Sequence, residues 1–282
     1  MSPFTNQLML IMYQLHLSHS STFSLLTSID PSAAATCNRC VHQSKAAYYY
    51  DDTPIPYGAC GYGALAFELS NGYAAGVVPS LFKQGAGCGS CFQVRCKDRR
   101  FCSRVGTKVV ATDQNYDNRY DFVLSKKAYA SMALKNKTNE LLNLGTVDVE
   151  YKRIPCTYKN KNLLVRVEEW SQKPYYLALK FLYQGGQTEI TRVEIAEVGS
   201  DNWESMKRNY GAIWDINKQL EGALQLKIVV TSENNQIENL YWAVNDLPED
   251  WENGEIYDTG IQINNIDKET CPRNQCGDLP WK

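Results

Sequence analysis

"GAGCGSCFQVRC", residues 85 to 96, sets three cysteines and three glycines among twelve positions. Its second half alternates, with Phe92 and Val94 on one face, the period-two signature of a half-buried strand. Its first half is a glycine-rich turn. The same pattern continues outward in both directions: "TKVVATD" (107–113) and "TVDVEYKRI" (146–154) alternate alike. Residues 57 to 156 therefore read as short strands joined by turns, an all-β core. One exception is "SKKAYASMAL" (125–134), where Leu124, Ala128 and Met132 recur at helical spacing, and "NKTNELLNL" (136–144) reads as its continuation.

Composition changes around "PCTYKNKN" (155–162), where the sequence turns polar. A second run of alternating strands follows. It comprises "NLLVRVEEW", with Leu163, Val165 and Val167 inward, then "YYLALKFLY", "ITRVEIAEV", "ALQLKIVV" and "NLYWAV". Turn signals such as "QGGQ" and "SENNQ" separate them. Short strands at regular spacing without intervening helices predict a β-sandwich.

The chain has 282 residues, 44% hydrophobic and 21% charged, with a formal charge of −2. That length accommodates about two domains. No basic stripe is present, which argues against a nucleic-acid partner. Ten cysteines are the informative count. Cys60, Cys88, Cys91, Cys96, Cys102 and Cys156 share one segment, Cys37 and Cys40 precede it, and Cys271 and Cys276 close the chain. An even, clustered set in loop-rich sequence predicts a disulfide framework in an oxidising compartment. Cys37-x-x-Cys40 and Cys88-x-x-Cys91 also have zinc-ligand spacing, but with three histidines in the chain disulfides are the expectation, with no metal and no cofactor. Residues 1–35 contain "LMLIMYQLHL" and end in small residues, which reads as an atypical signal peptide that is removed. The apolar run is too short to span a bilayer, and no membrane partner is expected.

Several motifs taken together resemble the plant expansin superfamily: "YGACGYG" (57–63), "GAGCGSCFQVRC", "VVATD" (109–113), "VEYKRIPC" (149–156), "KPYYLAL" (173–179) and "NYGAIWDI" (209–216). "CNRCVHQSKAAYY" (37–49), "FLYQGGQTEI" (181–190) and "GEIYDTGIQI" (254–263) look like its expansin-like A subgroup. The resemblance implies a six-stranded double-psi β-barrel related to family-45 endoglucanases over 36–156. A linker at 157–161, an immunoglobulin-like β-sandwich over 162–262 and a tail at 263–282 would follow. It also implies the pairs Cys60–Cys88, Cys91–Cys156 and Cys96–Cys102, one of fifteen possible pairings of six cysteines. Partners for Cys37, Cys40, Cys271 and Cys276 stay open.

Asp113 and Asp121 raise the question of hydrolysis. Glycosidases use two carboxyl groups about 5 Å apart when retaining and about 6.5–9.5 Å apart when inverting. Expansins carry one Asp after a barrel strand, matched by Asp113, and a second in a His-Phe-Asp-Leu-Ser motif. Laying "DFVLS" (121–125) under that motif puts Asp121 on the His and Val123 on the Asp. Val123 can neither give nor take a proton. Asp121 would share its face but lie roughly 6.6 Å along the strand. Tyr48 and Tyr49 match aromatics that line the sugar groove in relatives, so the expected groove is Asp113, Asp121, Tyr48 and Tyr49.

In the second domain, Leu177, Leu179 and Phe181 fall on one face of a strand, and Tyr176, Ala178 and Lys180 on the other. Outward aromatic rings can stack on the apolar faces of pyranose rings. By resemblance the platform is Tyr176 and Tyr210, with Tyr175 and Trp214 as weaker members; Lys180 reads as a solvated charge or a donor to sugar hydroxyls. Asn136-Lys137-Thr138 is an N-glycosylation sequon. The expectation is a secreted, monomeric cell-wall protein that binds β-glucan of the cellulose or xyloglucan type without hydrolysing it. The alternatives are a weak endo-β-glucanase and a barwin-like defence or recognition protein.

Overall fold

The computed structural model describes residues 35–49, 58–231 and 238–278. Apart from Ala35, the signal-peptide reading lies outside these residues. Strands β1 (Ala35–Cys37), β2 (His42–Tyr48), β3 (Ala74–Val77), β4 (Cys91–Cys96), β5 (Thr107–Gln114), β6 (Phe122–Leu124) and β7 (Thr146–Ile154) come first. The last six close a barrel in the order β2-β6-β3-β5-β4-β7. The β2–β6 and β3–β5 pairs are parallel. Alternation fixes which side chains enter the barrel: along β7, Val147, Val149 and Tyr151 are buried and the residues between them are not.

Short helices α1 (Leu65–Ser70), α2 (Pro79–Phe82), α3 (Lys126–Ser131) and α4 (Thr138–Leu144) occupy the connections. The Ser125 hydroxyl caps α3 by accepting the Ala128 amide at 3.2 Å, and Ala128 and Met132 are fully buried as the helical spacing predicts. The expected continuation is interrupted, because Asn136 sits in left-handed backbone at φ 66° and α4 starts afresh. Among the described residues no helix is long and apolar enough to cross a membrane.

Strands β8 (Leu164–Val167), β9 (Tyr176–Leu182), β10 (Glu189–Glu197), β11 (Glu204–Tyr210), β12 (Ile213–Asn217), β13 (Leu224–Thr231), β14 (Glu238–Trp242) and β15 (Ile256–Asp258) follow. They form one antiparallel sheet ordered β14-β13-β10-β11-β12-β9-β8-β15. Val165, Leu179, Ile195, Trp214 and Ile228 share a single core. The sheet is therefore curled over on itself, with its two halves as the layers of a sandwich. β16 (Glu269–Cys271) returns to pair with β1.

Disulfides join Cys60 to Cys88, Cys91 to Cys156 and Cys96 to Cys102. The four flanking cysteines pair as Cys37–Cys276 and Cys40–Cys271, clamping β16 and the segment after it onto residues 37–40. Both Cys-x-x-Cys pairs are thus taken up by bonds to other partners.

Ala34–Lys282 packs as one unit, and the barrel–sheet junction is close. Gly85 abuts Gly211, where a Cβ would come within 2.7 Å of the Gly211 carbonyl oxygen. The Ala212 amide donates to the Cys60 carbonyl at 3.1 Å. Glu189, on β10, is buried between Arg153 of the barrel at 2.6 Å and Lys83 at 2.8 Å. Burial alone would raise its pKa; the two cations outweigh burial and hold it below the usual glutamate range. A lowered folded-state pKa stabilises fully above the unfolded value and fades as pH falls through the folded one. Wild type should therefore lose stability from about pH 5 downward more steeply than Glu189→Gln, which starts less stable. Urea midpoints measured from pH 7 to 3 check this, and parallel curves would refute it.

Candidate functional site

The groove is built across β5, β3 and β6. Gly76 of β3 is opposite Asp113 on one side and Val123 on the other. These three residues form a row crossing the strands, and two strand spacings put the outer Cα atoms about 9.5 Å apart. Asp113 reaches this outer face because of a bulge. Ala111 pairs with Ala75 and Asp113 with Gly76, leaving Thr112 as the extra residue. In an unbroken strand Asp113 would share the inward face of Ala111, which is fully buried; one inserted residue re-aims it outward.

The Asp113 carboxylate is held by backbone. Its Oδ1 accepts the amides of Ala59 at 2.6 Å and Gln114 at 2.8 Å. Gly58 packs against it, with a Cβ there 3.3 Å from the Asp113 Cγ. Asp113 and Tyr49 line a cavity of about 500 Å³, floored by apolar groups such as Ala66, Ala74 and Leu142, with Phe67 at its exposed rim. The Tyr49 hydroxyl lies over Gly76, where any added Cβ would collide with it. Burial, and then the negative charge of Asp113, push the Tyr49 phenol well above its usual pKa. The group facing Asp113 is therefore a neutral phenol that gives up its proton poorly. A general acid works best with a pKa near the operating pH.

The other two groove candidates stand elsewhere. Tyr48 points inward, its ring tilted against that of Tyr129 with centres 4.7 Å apart and its hydroxyl donating to the Leu142 carbonyl at 3.2 Å. Alternation on β2 sends these neighbouring tyrosines to opposite sides. Asp121 does not line the cavity. It precedes β6, where its carbonyl accepts the Val78 amide at 3.1 Å and its own amide bonds the Ser44 hydroxyl. Two residues along and two strands across place it about 11–12 Å from Asp113 at Cα.

On the sheet, the outer face of β9, β12 and β11 carries Tyr176, Asp215 and Tyr210. Tyr176 donates to Asp215 Oδ2 at 2.8 Å, and the Asn209 amide donates to the same oxygen at 2.5 Å. These two bonds hold the Tyr176 hydroxyl, and burial, then Asp215, push its phenol above the usual range, with nearby Trp170 acting the other way. Tyr210 is 43% exposed, and its ring edge meets Gly61 of the barrel. Gly58 and Gly63, on that same loop, line the groove. One loop of the barrel thus borders both the Tyr210 ring and the groove. Register puts Tyr176 and Tyr210 roughly 16 Å apart at Cα. Tyr175 is 59% exposed, just before β9.

Two sequence readings need correction here. Trp214 is 5% exposed; it pairs with inward Leu179 and carries the Arg208 guanidinium 4.4 Å above its ring. It belongs to the core and cannot join a platform. Lys180 is on the outer face, but its ammonium is buried against Glu168 at 2.8 Å and is neither solvated nor open to a ligand. Trp170 was missed, though its parity with Arg166 and Glu168 was readable as outward. Asn136 is exposed in the loop before α4, and Thr138 of its sequon lines the groove.

Two family models match the chain. "Expansin C-terminal domain" covers residues 163–242, and "Lytic transglycolase", the double-psi barrel model, covers residues 74–151. Expansin-like A2 of Arabidopsis thaliana is 47% identical over 89% of this chain and 94% of its own length. Expansin-like A3 of Oryza sativa subsp. japonica is 43% identical over 88% and 91%. The fold is similar to that of apo Clavibacter michiganensis expansin, with a TM-score of 0.59 at 18% identity over 79% of this chain and 97% of that one. A point mutant of that expansin, in complex with cellohexaose, matches equally well. With two relatives above 40% identity over nearly their whole length, and both halves matched in order, the chain belongs to the plant expansin superfamily, in its expansin-like A subgroup.

Proposed function

We propose that the protein is a secreted cell-wall protein that binds wall β-glucan non-covalently and cuts no bond. The observation that carries this reading is the pair of outward tyrosines, Tyr176 and Tyr210, near a groove in which Asp113 is the single acid among the described residues. Flat rings stack on the apolar faces of a glucan ribbon, and the hydrogen bond to Asp215 limits the rotamer freedom that Tyr176 would lose on binding. Asp113 and Tyr49 bind sugar hydroxyls in the groove, one as acceptor and one as donor. Val123 stands where a second carboxylate would be needed. The cellohexaose held by a mutant of the structurally similar Clavibacter michiganensis expansin supports a β-1,4-glucan as the ligand. Ten disulfide-bonded cysteines support an oxidising, extracellular location. Loosening of the wall, on this reading, is mechanical: binding along one strand competes with contacts between strands.

A soluble β-glucan incubated with the protein should release no more reducing ends than buffer does, and Asp113→Asn should change nothing in that assay while weakening binding of the same glucan. Release that disappears in Asp113→Asn would replace this reading with a weak endoglucanase.

A further inference from the structure

A second aromatic cluster lies on the other half of the sheet, away from Tyr176 and Tyr210. Lys227 of β13 is directly opposite Trp242 of β14, so both side chains leave the same face. The Lys227 ammonium lies 4.3 Å from the Trp242 ring centre and 3.6 Å from that of Trp203, which precedes β11. The two indoles meet edge to face, with centres 5.2 Å apart and planes at 86°. They form a corner with a cation in its angle. Trp242 is 51% exposed, and Leu240, next along the same face, is equally so. Among the described residues β14 ends the sheet order, which leaves room for a long polymer along this edge.

The cation is the informative part. Glu194 is the cross-strand neighbour of Lys227 on its other side, but that carboxylate pairs with Arg192 at 3.4 Å, and Arg192 also reaches Glu238 at 3.2 Å. Among the described residues no carboxylate lies within ion-pair distance of Lys227. Ring quadrupoles attract the charge, yet an ammonium has three N–H donors, and ring faces accept them far less well than an anion does. A neutral glucan would use the exposed indole and leave the cation unanswered. A sugar with a carboxylate uses both.

We propose that Trp203, Lys227 and Trp242 form a binding site for uronic-acid polymers, with a pyranose face on the Trp242 indole and its carboxylate on Lys227. The chain as a whole carries a net charge of −2, so attraction to a polyanion must be local, and added salt should screen it. With neutral glucan on the tyrosine face, one molecule would bridge two kinds of wall polymer.

The test titrates the full chain with an oligogalacturonate of about ten residues and, separately, with cellohexaose. Trp242→Ala and Lys227→Gln should each weaken oligogalacturonate about tenfold or more, the first through loss of the stacking ring and the second through loss of one charge-assisted contact. Lys227→Arg should bind within about threefold of wild type, because it keeps the cation. Tyr176→Ala should leave oligogalacturonate affinity unchanged, and full methyl esterification of the oligomer should abolish most of it. Cellohexaose binding should not respond to Trp242→Ala or Lys227→Gln. Lys227→Gln retains much of the aliphatic stem between the rings, so an unchanged melting temperature separates lost binding from lost folding. Absence of oligogalacturonate binding, equal binding of acid and ester, or wild-type affinity in both variants overturns the site. Loss of cellohexaose binding in Trp242→Ala would reassign it to neutral glucan. Apart from that last outcome, none of these bears on Tyr176 and Tyr210, whose role is tested separately.

Discussion

Replacing Cys91 and Cys156 together by alanine should lower the unfolding free energy by about 4 kcal/mol, against about 2 kcal/mol for Cys96 and Cys102. The two bridges close loops of very different length, with sequence separations of 65 and 6, and loop-closure entropy grows with the logarithm of loop length. Position adds to the difference. Cys156 follows β7 where the chain leaves the barrel, and it exchanges two backbone hydrogen bonds with Gly186 in the β9–β10 connection, at 2.8 and 3.1 Å. The long bridge therefore anchors the crossing between the two halves as well as the barrel. Set against a typical total of about 5–15 kcal/mol, its loss is large. Urea unfolding of the two double variants gives the comparison, and a costlier Cys96–Cys102 deletion would contradict it.

Tyr176→Ala combined with Tyr210→Ala should weaken binding to insoluble β-glucan by about a hundredfold or more, since truncating a ring that anchors an interface costs about 2 kcal/mol or more. Neither ring is part of the core clusters, so the fold should survive. Tyr176→Phe should cost far less than Tyr176→Ala, because it removes the hydroxyl bonded to Asp215 and keeps the stacking face. Binding isotherms on washed glucan decide the matter. An unaltered isotherm for the double variant would favour a recognition protein whose ligand is not a polysaccharide.

The sequence made the architecture legible because alternation and turn residues act locally. Phe92 and Val94 read inward from their spacing, and both are buried. Ala128 and Met132 read as one helical stripe and are buried too. The site was less legible, because its geometry depends on pairing between strands. Nothing in "VVATD" announces the bulge at Thr112 that turns Asp113 outward, and nothing in "AAGV" says that Gly76 will lie beneath the hydroxyl of Tyr49. Trp214 shows the converse limit. A Trp four residues after Tyr210 looks like a second platform ring, but the hairpin pairs Tyr210 with Ile213, so Trp214, one residue further on, faces the opposite way, into the core. Lys180 failed for another reason. Parity gave its face correctly, but the partner that buries it, Glu168, comes from the neighbouring segment. The remaining four cysteines were undecidable because segments more than 230 residues apart meet only in the folded molecule.

A structure of the protein soaked with a six-residue β-1,4-glucan tests the central claim most directly. The sugar is expected with pyranose faces over Tyr176 and Tyr210, running toward Asp113 and Tyr49, and with every glycosidic bond intact. An oligosaccharide bound away from both rings, or found cleaved beside Asp113, would contradict it.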